Sequence, residues 1–320
     1  MFAASAVAFS STDPLSCLRL GEHPDPTAPD GWVVVDVRAT SVNHHDLWTL
    51  KGVGISAERL PMILGCDAAG VDPAGNEVIV HGVIAPGGYP DETMDPKRTL
   101  LSELHQGTFA ERVAVPARNL LPKPAELSWA QAACLPTAWL TAYRMLFTRS
   151  GLQPGQTVLV QGAGGGVSTA LIMLGRQAGF RMWVTSRDEA KRTRALELGA
   201  HAAFESGARL PERVDVVMET VGAATWSHSL KSLRPGGRIV VAGATSGSMP
   251  PADLSRVFFL QLSVVGSTMG TRDELAQLIA MCQATGLRPL VDHELPLAEA
   301  DEALRLVDRG ELFGKIVLTV

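Results

Sequence analysis

Two textures of apolar patterning divide the chain. Through residues 1–125 the apolar residues come in short β-branched or alternating runs: Trp32–Val37 (WVVVDV), Glu77–Val83 (EVIVHGV) and Phe109–Val115 (FAERVAV). Turn formers separate them, among them Pro24, Pro26, Pro29, Gly31, Pro61, Pro73, Gly75, Pro86 and Pro90. Such runs between turn formers predict antiparallel, barrel-like β structure. The opening residues, MFAASAVAFSSTDPLSC, are mildly apolar with no basic start, so they read as a first strand and not as a leader. Ala85–Thr99 reads as a polar loop with freedom to move.

The period changes near Pro124. Ser128 with Gln131 three residues on is a capping-box pattern, which starts a helix that Pro136 interrupts and Thr137–Phe147 resumes. From Thr157 to about Thr285 apolar strands and helical stretches alternate. The expected strands are Val158–Val160, Met182–Thr185, Val214–Met218, Arg238–Ala242 and Leu262–Val265. Helices are expected at Val167–Ala178 and Asp273–Thr285. That alternation predicts an α/β doubly wound parallel sheet, which takes ligands at the carboxyl ends of its strands. The tail, 290–320, returns to β texture around a helix at Leu297–Arg309 and closes on the strand Lys315–Val320 (KIVLTV). A terminal strand is best held by pairing with the first domain. The expected organisation is therefore a first β part, 1–125, an inserted dinucleotide domain, 126–288, and a returning part, 289–320.

Thr157–Arg187 carries the densest chemistry. A strand, the turn Gly162-Ala163-Gly164-Gly165-Gly166, a helix and a second strand follow one another in the βαβ order that holds a dinucleotide. The glycine fingerprint falls on Ala163, Gly165 and Ser168, so only its middle glycine is kept. Ala163 suits the turn if its φ is negative, and Ser168 is small enough for close helix–strand packing. Glycines let the backbone approach a diphosphate, and the helix start presents free N–H groups. Gly164, Gly165, Gly166, Val167 and Ser168 are thus the expected diphosphate contacts.

Composition narrows the class. A chain of 320 residues has room for about two domains, and 46% hydrophobic with 19% charged residues describes a globular protein with ample core. A net charge of −5 argues against nucleic acid and anionic membrane as partners. No apolar run reaches the length of a membrane span. Cys17, Cys66, Cys134 and Cys282 are scattered with no CxxC pair, which suits reduced thiols in a cytoplasmic protein.

Several motifs, taken in order, resemble one family over nearly the whole length. They are Ser41-Val42-Asn43-His44-His45-Asp46-Leu47, Gly65-Cys66-Asp67-Ala68-Ala69-Gly70, Leu135-Pro136-Thr137, Leu140-Thr141-Ala142-Tyr143, Gly162–Ser168, Gly266–Gly270 and Gly314–Leu318. The chain resembles the medium-chain dehydrogenase/reductases, in their zinc-independent, quinone-oxidoreductase-like branch. The resemblance implies a GroES-like catalytic domain interrupted by a Rossmann domain, a cleft between them, and hydride transfer with a nicotinamide cofactor. It also implies a homodimer in which the strand near Leu262–Val265 extends the sheet. An exposed apolar edge strand would otherwise invite aggregation.

The resemblance also locates candidate site residues. Relatives with catalytic zinc need three ligands, and their positions fall on Asn43, Cys66 and Thr137. One thiol among them would not hold tetrahedral zinc, so no metal is expected. His44 and His45, read as neighbours on an extended segment, would point to opposite sides and not share a metal. For the cofactor, the second strand ends Thr185-Ser186-Arg187 with no acid for a ribose hydroxyl, while Asp188 suits a helix start. Ser186, Arg187 and Lys191 suit a 2′-phosphate, which favours NADP(H). Thr137, Thr141, Gly243, Ala244, Thr245, Thr268 and Met269 stand where relatives touch the cofactor, and His44 where some touch its diphosphate.

Without a metal to polarise a carbonyl, a quinone or an α,β-unsaturated carbonyl is the better hydride acceptor. His45 stands where metal-dependent relatives keep a proton-relay hydroxyl, and an imidazole titrating near neutrality can donate the proton. Asn43 is a second candidate, although its short side chain, like that of Asp46, also suits fixing the backbone. The expected activity is NADPH-dependent reduction of a quinone or enone. The alternatives are an enoyl-thioester reductase and a non-catalytic NADPH-binding protein.

Overall fold

The computed structural model describes residues 1–320. In chain order the first strands are β1 (Phe2–Ala6), β2 (Leu18–Glu22) and β3 (Trp32–Ser41). Helix α1 (His44–Leu50) follows, then β4 (Met62–Ile63), β5 (Ala68–Val71), β6 (Glu77–Val80), β7 (Val83–Ile84), β8 (Thr99–Leu100), β9 (Arg112–Pro116) and β10 (Leu120–Pro122). Two helices, α2 (Trp129–Ala133) and α3 (Leu140–Tyr143), lead to β11 (Thr157–Val160). Then come α4 (Gly166–Gln177), β12 (Arg181–Ser186), α5 (Glu189–Glu197), β13 (Ala202–Glu205), β14 (Val214–Glu219), α6 (Ala223–Ser232), β15 (Leu233–Val241), α7 (Leu254–Phe259) and β16 (Ser263–Gly266). The chain closes with α8 (Arg272–Thr285), β17 (Val291–Pro296), α9 (Ala300–Arg309) and β18 (Lys315–Thr319).

These elements form two compact units, Met1–Leu140 with Gly270–Val320, and Thr141–Met269. The first is discontinuous, and its largest sheet runs β10-β6-β5-β3-β18-β17, with β9 also on β3. The last strand pairs antiparallel with β3, Val317 opposite Ser41 and Thr319 opposite Ala39. That pairing ties the two ends of the first unit together. The division falls at Leu140 and Gly270, against the expected 125 and 288. The reason is packing: α2 lies against β3 and β5, and α8 against the Leu135–Trp139 turn.

The second unit holds a six-stranded parallel sheet in the order β13-β12-β11-β14-β15-β16. Its strands are apolar on both faces, as a sheet covered by helices requires. Leu159, Trp183, Val217, Leu230 and Ile239 are among the residues of its core. Five of the strands lie where the pattern expects them. The sixth, β13, has the short, half-buried sequence AAFE, which carries no strand periodicity.

Two local expectations fail. His44 and His45 begin the helix α1 and are not on an extended segment. Ala85–Thr99 is not a free loop: Glu92 Oε1 accepts from His81 Nε2 at 2.8 Å and from Arg272 N at 2.6 Å. The capping box at α2 is as expected, with Gln131 N donating to Ser128 Oγ and Ser128 N to Gln131 Oε1, both at 3.1 Å. After Cys134 the helix widens into a π-type turn, Leu135–Trp139, around Pro136. Because the Ser128 hydroxyl satisfies one helix-end N–H, Ser128→Ala is expected to cost about 1 kcal/mol of stability, read as a lower denaturant midpoint.

Candidate active site

In the first unit the site grows from the join between β3 and α1. Asp46 is fully buried and its carboxylate accepts from Asn43 N at 2.8 Å and Gly65 N at 3.0 Å. It therefore fixes the helix start against the turn before Cys66. Burial pushes the Asp46 carboxyl up to about 6, opposed by the His45 charge and the Asn43 N–H. Lys315, on β18, is also buried, and its ammonium donates to Val42 O and Asn43 Oδ1, both at 2.6 Å. It stands 3.8 Å from Asp67 Oδ2. Asp67 Oδ2 accepts in turn from Asn43 Nδ2 at 2.8 Å and Ser41 Oγ at 2.5 Å. Both ends of the Asn43 amide are thus occupied inside the protein, which suits the positioning role expected of it and leaves it little to offer a substrate.

Asn43, Cys66 and Thr137 do converge. Asn43 Nδ2 lies 3.9 Å from Cys66 Sγ, and Cys66 Sγ lies 3.3 Å from Thr137 Oγ1. As a zinc set they do not fit. The Asn43 oxygen is held by an ammonium, Thr137 is a neutral hydroxyl, and burial pushes the Cys66 thiol up, away from the thiolate that zinc needs. No three His, Cys, Asp or Glu side chains are placed to hold a metal ion.

His45 lies beside this cluster, half-buried, with Nε2 3.2 Å from Glu103 Oε1. Burial works against a charge on the ring. The side chains of Cys66 and Glu103, with the Asp46 charge behind them, more than offset it and hold the imidazole well above the usual histidine range. Its Nδ1 is buried and has no hydrogen-bond partner. His44, one residue back, is exposed.

In the second unit the turn between β11 and α4 has the glycine backbone and uncapped helix start that could hold a diphosphate. Gly162 and Gly164 adopt φ of +81° and +102°, which side chains rarely tolerate. Gly165 then caps α4, and no side chain satisfies the N–H groups of Gly166, Val167 and Ser168. A Cβ at Gly165 would find only Ser168 Oγ, at 3.7 Å, so the space in front of the helix is open. Ala163 has no positive φ, as its place in the turn requires. Asp188 caps α5, with its Oδ1 accepting from Lys191 N at 3.2 Å, and is spent there. Arg187 is exposed with no ion pair, and Ser186 ends β12 with its carbonyl held by Arg192 Nη1 at 2.8 Å. Gly243, Ala244 and Thr245 follow β15, and Thr268 and Met269 follow β16, all at the carboxyl edge of the sheet. Met269 has φ +47°, a conformation that costs energy and clusters at ligand sites. Thr141 is buried on α3.

Pattern reasoning missed three residues, the Lys315 described above, Glu219 and Glu103. Glu219 ends β14 fully buried, accepting from Val221 N, Gly222 N, Thr225 Oγ1 and Ser229 Oγ at 2.6 to 3.0 Å, which shapes the next loop of the carboxyl edge. A lone acid closing the apolar run VDVVME was its only signal. Glu103, the partner of His45, is 58 residues away in sequence and had none.

A parallel sheet with an open glycine turn at its carboxyl edge, and a β unit with a buried polar cluster, are parts that a dinucleotide-dependent oxidoreductase would need. The comparisons agree. The chain matches the alcohol dehydrogenase GroES-like domain model over residues 29–125 and the zinc-binding dehydrogenase model over residues 192–318. It is 27% identical to crotonyl-CoA reductase of Streptomyces collinus, over 95% of this chain and 82% of that protein. It is 26% identical to quinone oxidoreductase of Lama guanicoe, over 92% of this chain and 90% of that protein. A solved structure described as an NAD-dependent alcohol dehydrogenase superposes with a TM-score of 0.93 at 33% identity, each chain covered completely. The chain belongs to the medium-chain dehydrogenase/reductase superfamily.

Removing the buried ammonium tests how the site is held. Lys315→Ala strips Asp67 and the Asn43 amide of their cation, and is expected to cost about 3–5 kcal/mol of stability in chemical denaturation.

Proposed function

We propose that the chain is an NADPH-dependent, zinc-independent reductase of conjugated acceptors, quinones or α,β-unsaturated carbonyls. The observation that carries this is the donor set Asn43, Cys66 and Thr137, which stands at the metal positions of relatives yet suits no zinc. Without a Lewis acid, an isolated ketone is a poor target, whereas a conjugated acceptor spreads the incoming charge to an oxygen that hydrogen bonds can meet. Bound NADPH supplies the hydride. The chain's own residues bind and orient: the α4 N-terminus for the diphosphate, Ser186 and Arg187 for the 2′-phosphate, and His45 as the proton source.

A second reading, reduction of an enoyl thioester, draws support from the likeness to crotonyl-CoA reductase. The electron demand is the same, and only the size of the acceptor's carrier differs. Steady NADPH oxidation with simple quinones or enones supports the first reading. Turnover confined to enoyl thioesters favours the second, and none with any acceptor would leave a nucleotide-binding protein without catalysis. The 33% identical structure is described as NAD-dependent, so cofactor choice needs its own test. Arg187→Ala is expected to lower kcat/KM for NADPH by about 10–100-fold, the worth of one to two charge-assisted hydrogen bonds, with NADH nearly unaffected. Equal losses for both cofactors would remove Arg187 from the phosphate site.

The proposal extends to a homodimer. β16 is an edge strand, and in the segment that leads to it Met249, Leu254, Phe258 and Phe259 are 92%, 71%, 71% and 79% exposed. Apolar exposure on that scale marks an association surface. Phe258→Asp with Phe259→Asp is expected to shift the protein from dimer to monomer in sedimentation velocity. A wild-type monomer at micromolar concentration would refute the dimer.

A further inference from the structure

Behind the glycine turn of the second unit, four buried side chains join in a series whose hydrogen bonds all run one way. Gly162 N donates to Thr185 Oγ1 at 3.3 Å, and Thr185 Oγ1 donates to Gln161 Oε1 at 2.7 Å. Gln161 Nε2 donates to Ser229 Oγ at 3.0 Å, and Ser229 Oγ donates to Glu219 Oε2 at 2.6 Å. Gln161, Thr185, Glu219 and Ser229 are each at most 1% exposed. The direction is set at two places. Ser229 gives its one proton to Glu219, so only its lone pairs face Gln161. His228 Nε2 faces Ala208 O at 2.8 Å and donates there, which leaves Nδ1 to accept from the Gln161 amide at 2.9 Å. Both constraints turn the Gln161 carbonyl toward Thr185.

The series joins three loops at the carboxyl edge of the sheet. Thr185 precedes Ser186 and Arg187 at the end of β12. Glu219 Oε1 accepts from Val221 N at 2.9 Å and Gly222 N at 3.0 Å, which shapes the loop after β14. That loop meets the glycine turn, since a Cβ on Gly162 would come within 3.2 Å of Val221 Cγ2. It also holds the loop after β15: Thr245 N donates to Thr220 O at 3.3 Å and Ser246 N to Val221 O at 2.7 Å. Gly222 has φ +92°, and a Cβ there would run into Gly247 O.

We propose that Gln161, Thr185, Ser229 and Glu219 act as one positioning network for nucleotide binding, fixing the glycine turn, the end of β12 and the Gly243–Thr245 loop at the spacing one dinucleotide needs. The proposal rests on the NADPH reading for its ligand, and on the hydrogen bonds alone for its connectivity. None of the four side chains needs to touch the nucleotide. Hydrogen bonds away from water polarise one another, and breaking one leaves buried groups unpaired on both sides of the gap. The links therefore hold or fail together. The Gly162 N–H is held inward by this network, whereas the N–H groups at the start of α4 stay uncapped by any side chain.

The test is the Kd for NADPH, read by tryptophan fluorescence on folded protein. Thr185→Val and Ser229→Ala are each expected to raise it about tenfold, the worth of one broken buried hydrogen bond. The double variant is expected to lose about tenfold as well, because the first break already disables the second link. Thr185→Ser keeps the hydroxyl and should bind like wild type. A lowered Tm with Kd unchanged would make these residues scaffold only and overturns the proposal. Losses that multiply to about a hundredfold in the double variant overturn it too, since they describe independent sites. Amide hydrogen exchange supplies a readout that needs no nucleotide. In Ser229→Ala the Gly162 amide should exchange faster, beyond any change in the amides of β15. A Gly162 amide that follows β15 overturns the connectivity. A wild-type protein that binds no NADPH sinks the nucleotide reading, and the exchange result then decides the network by itself.

Discussion

A single buried ammonium organises the catalytic unit. Lys315 arrives on the last strand, reaches across to the end of β3, and donates to Val42 O and Asn43 Oδ1. The nearby Asp67 carboxylate balances its charge and in turn draws in Ser41 and Asn43. An ion pair of this kind adds little net stability, because desolvation offsets much of its attraction. Its value is geometric. Each oxygen and nitrogen of the Asn43 amide has one satisfied orientation, so the chain enters α1 at a fixed angle. His45 and Asp46 take their places from that angle. The C-terminal strand is therefore part of the site, although none of its other residues carries chemistry.

That arrangement also explains why the metal positions can converge without forming a metal site. Convergence is a property of the backbone: β3, the Cys66 turn and the Leu135–Trp139 turn bring three side chains together whatever those side chains are. What they can hold depends on charge. A dication would have to displace an ammonium from Asn43 and ionise a thiol that burial keeps protonated. The same three positions, filled by an amide, a thiol and a hydroxyl, form hydrogen bonds to one another instead. Asp46 and Glu103 supply the negative charge that a neighbouring cation needs, and the nearest group able to become one is His45.

Much of this could be read in the chain before folding. The two textures, the inserted parallel sheet, five of its strands and the closing strand all follow from local periodicity, because each is a run of contiguous residues. The glycine turn before α4 and the capping role of Asp188 are equally local. What escaped is long-range or compositional. β13 is half-buried and short, so it has no pattern to show. Glu103 finds His45 only through the fold. The polar cluster NHHD resembles a loop and so hides α1, whose start depends on the Asp46 side chain working through Asn43 N and Gly65 N. The unit boundaries moved because α2 and α8 pack on the β unit, which sequence alternation does not record.

The altered glycine fingerprint shows how such a motif can drift while its physics is kept. The turn needs backbone that only glycine adopts readily, and Gly162 and Gly164 provide it on either side of Ala163. The approach to a diphosphate needs an open helix start, which Gly165 and Gly166 provide. The last glycine of the fingerprint normally lets helix and strand pack closely, and here that position is Ser168. Its hydroxyl avoids an unpaired burial by donating to Gly165 O at 2.9 Å. Close packing is met two turns later, where Gly175 lies against the end of the Met182 side chain and a Cβ would force that thioether to move. Each requirement is therefore satisfied, but by a residue displaced from the position the motif assigns. A match scored by position undercounts this turn, whereas one scored by φ, by free N–H groups and by helix–strand distance recovers it.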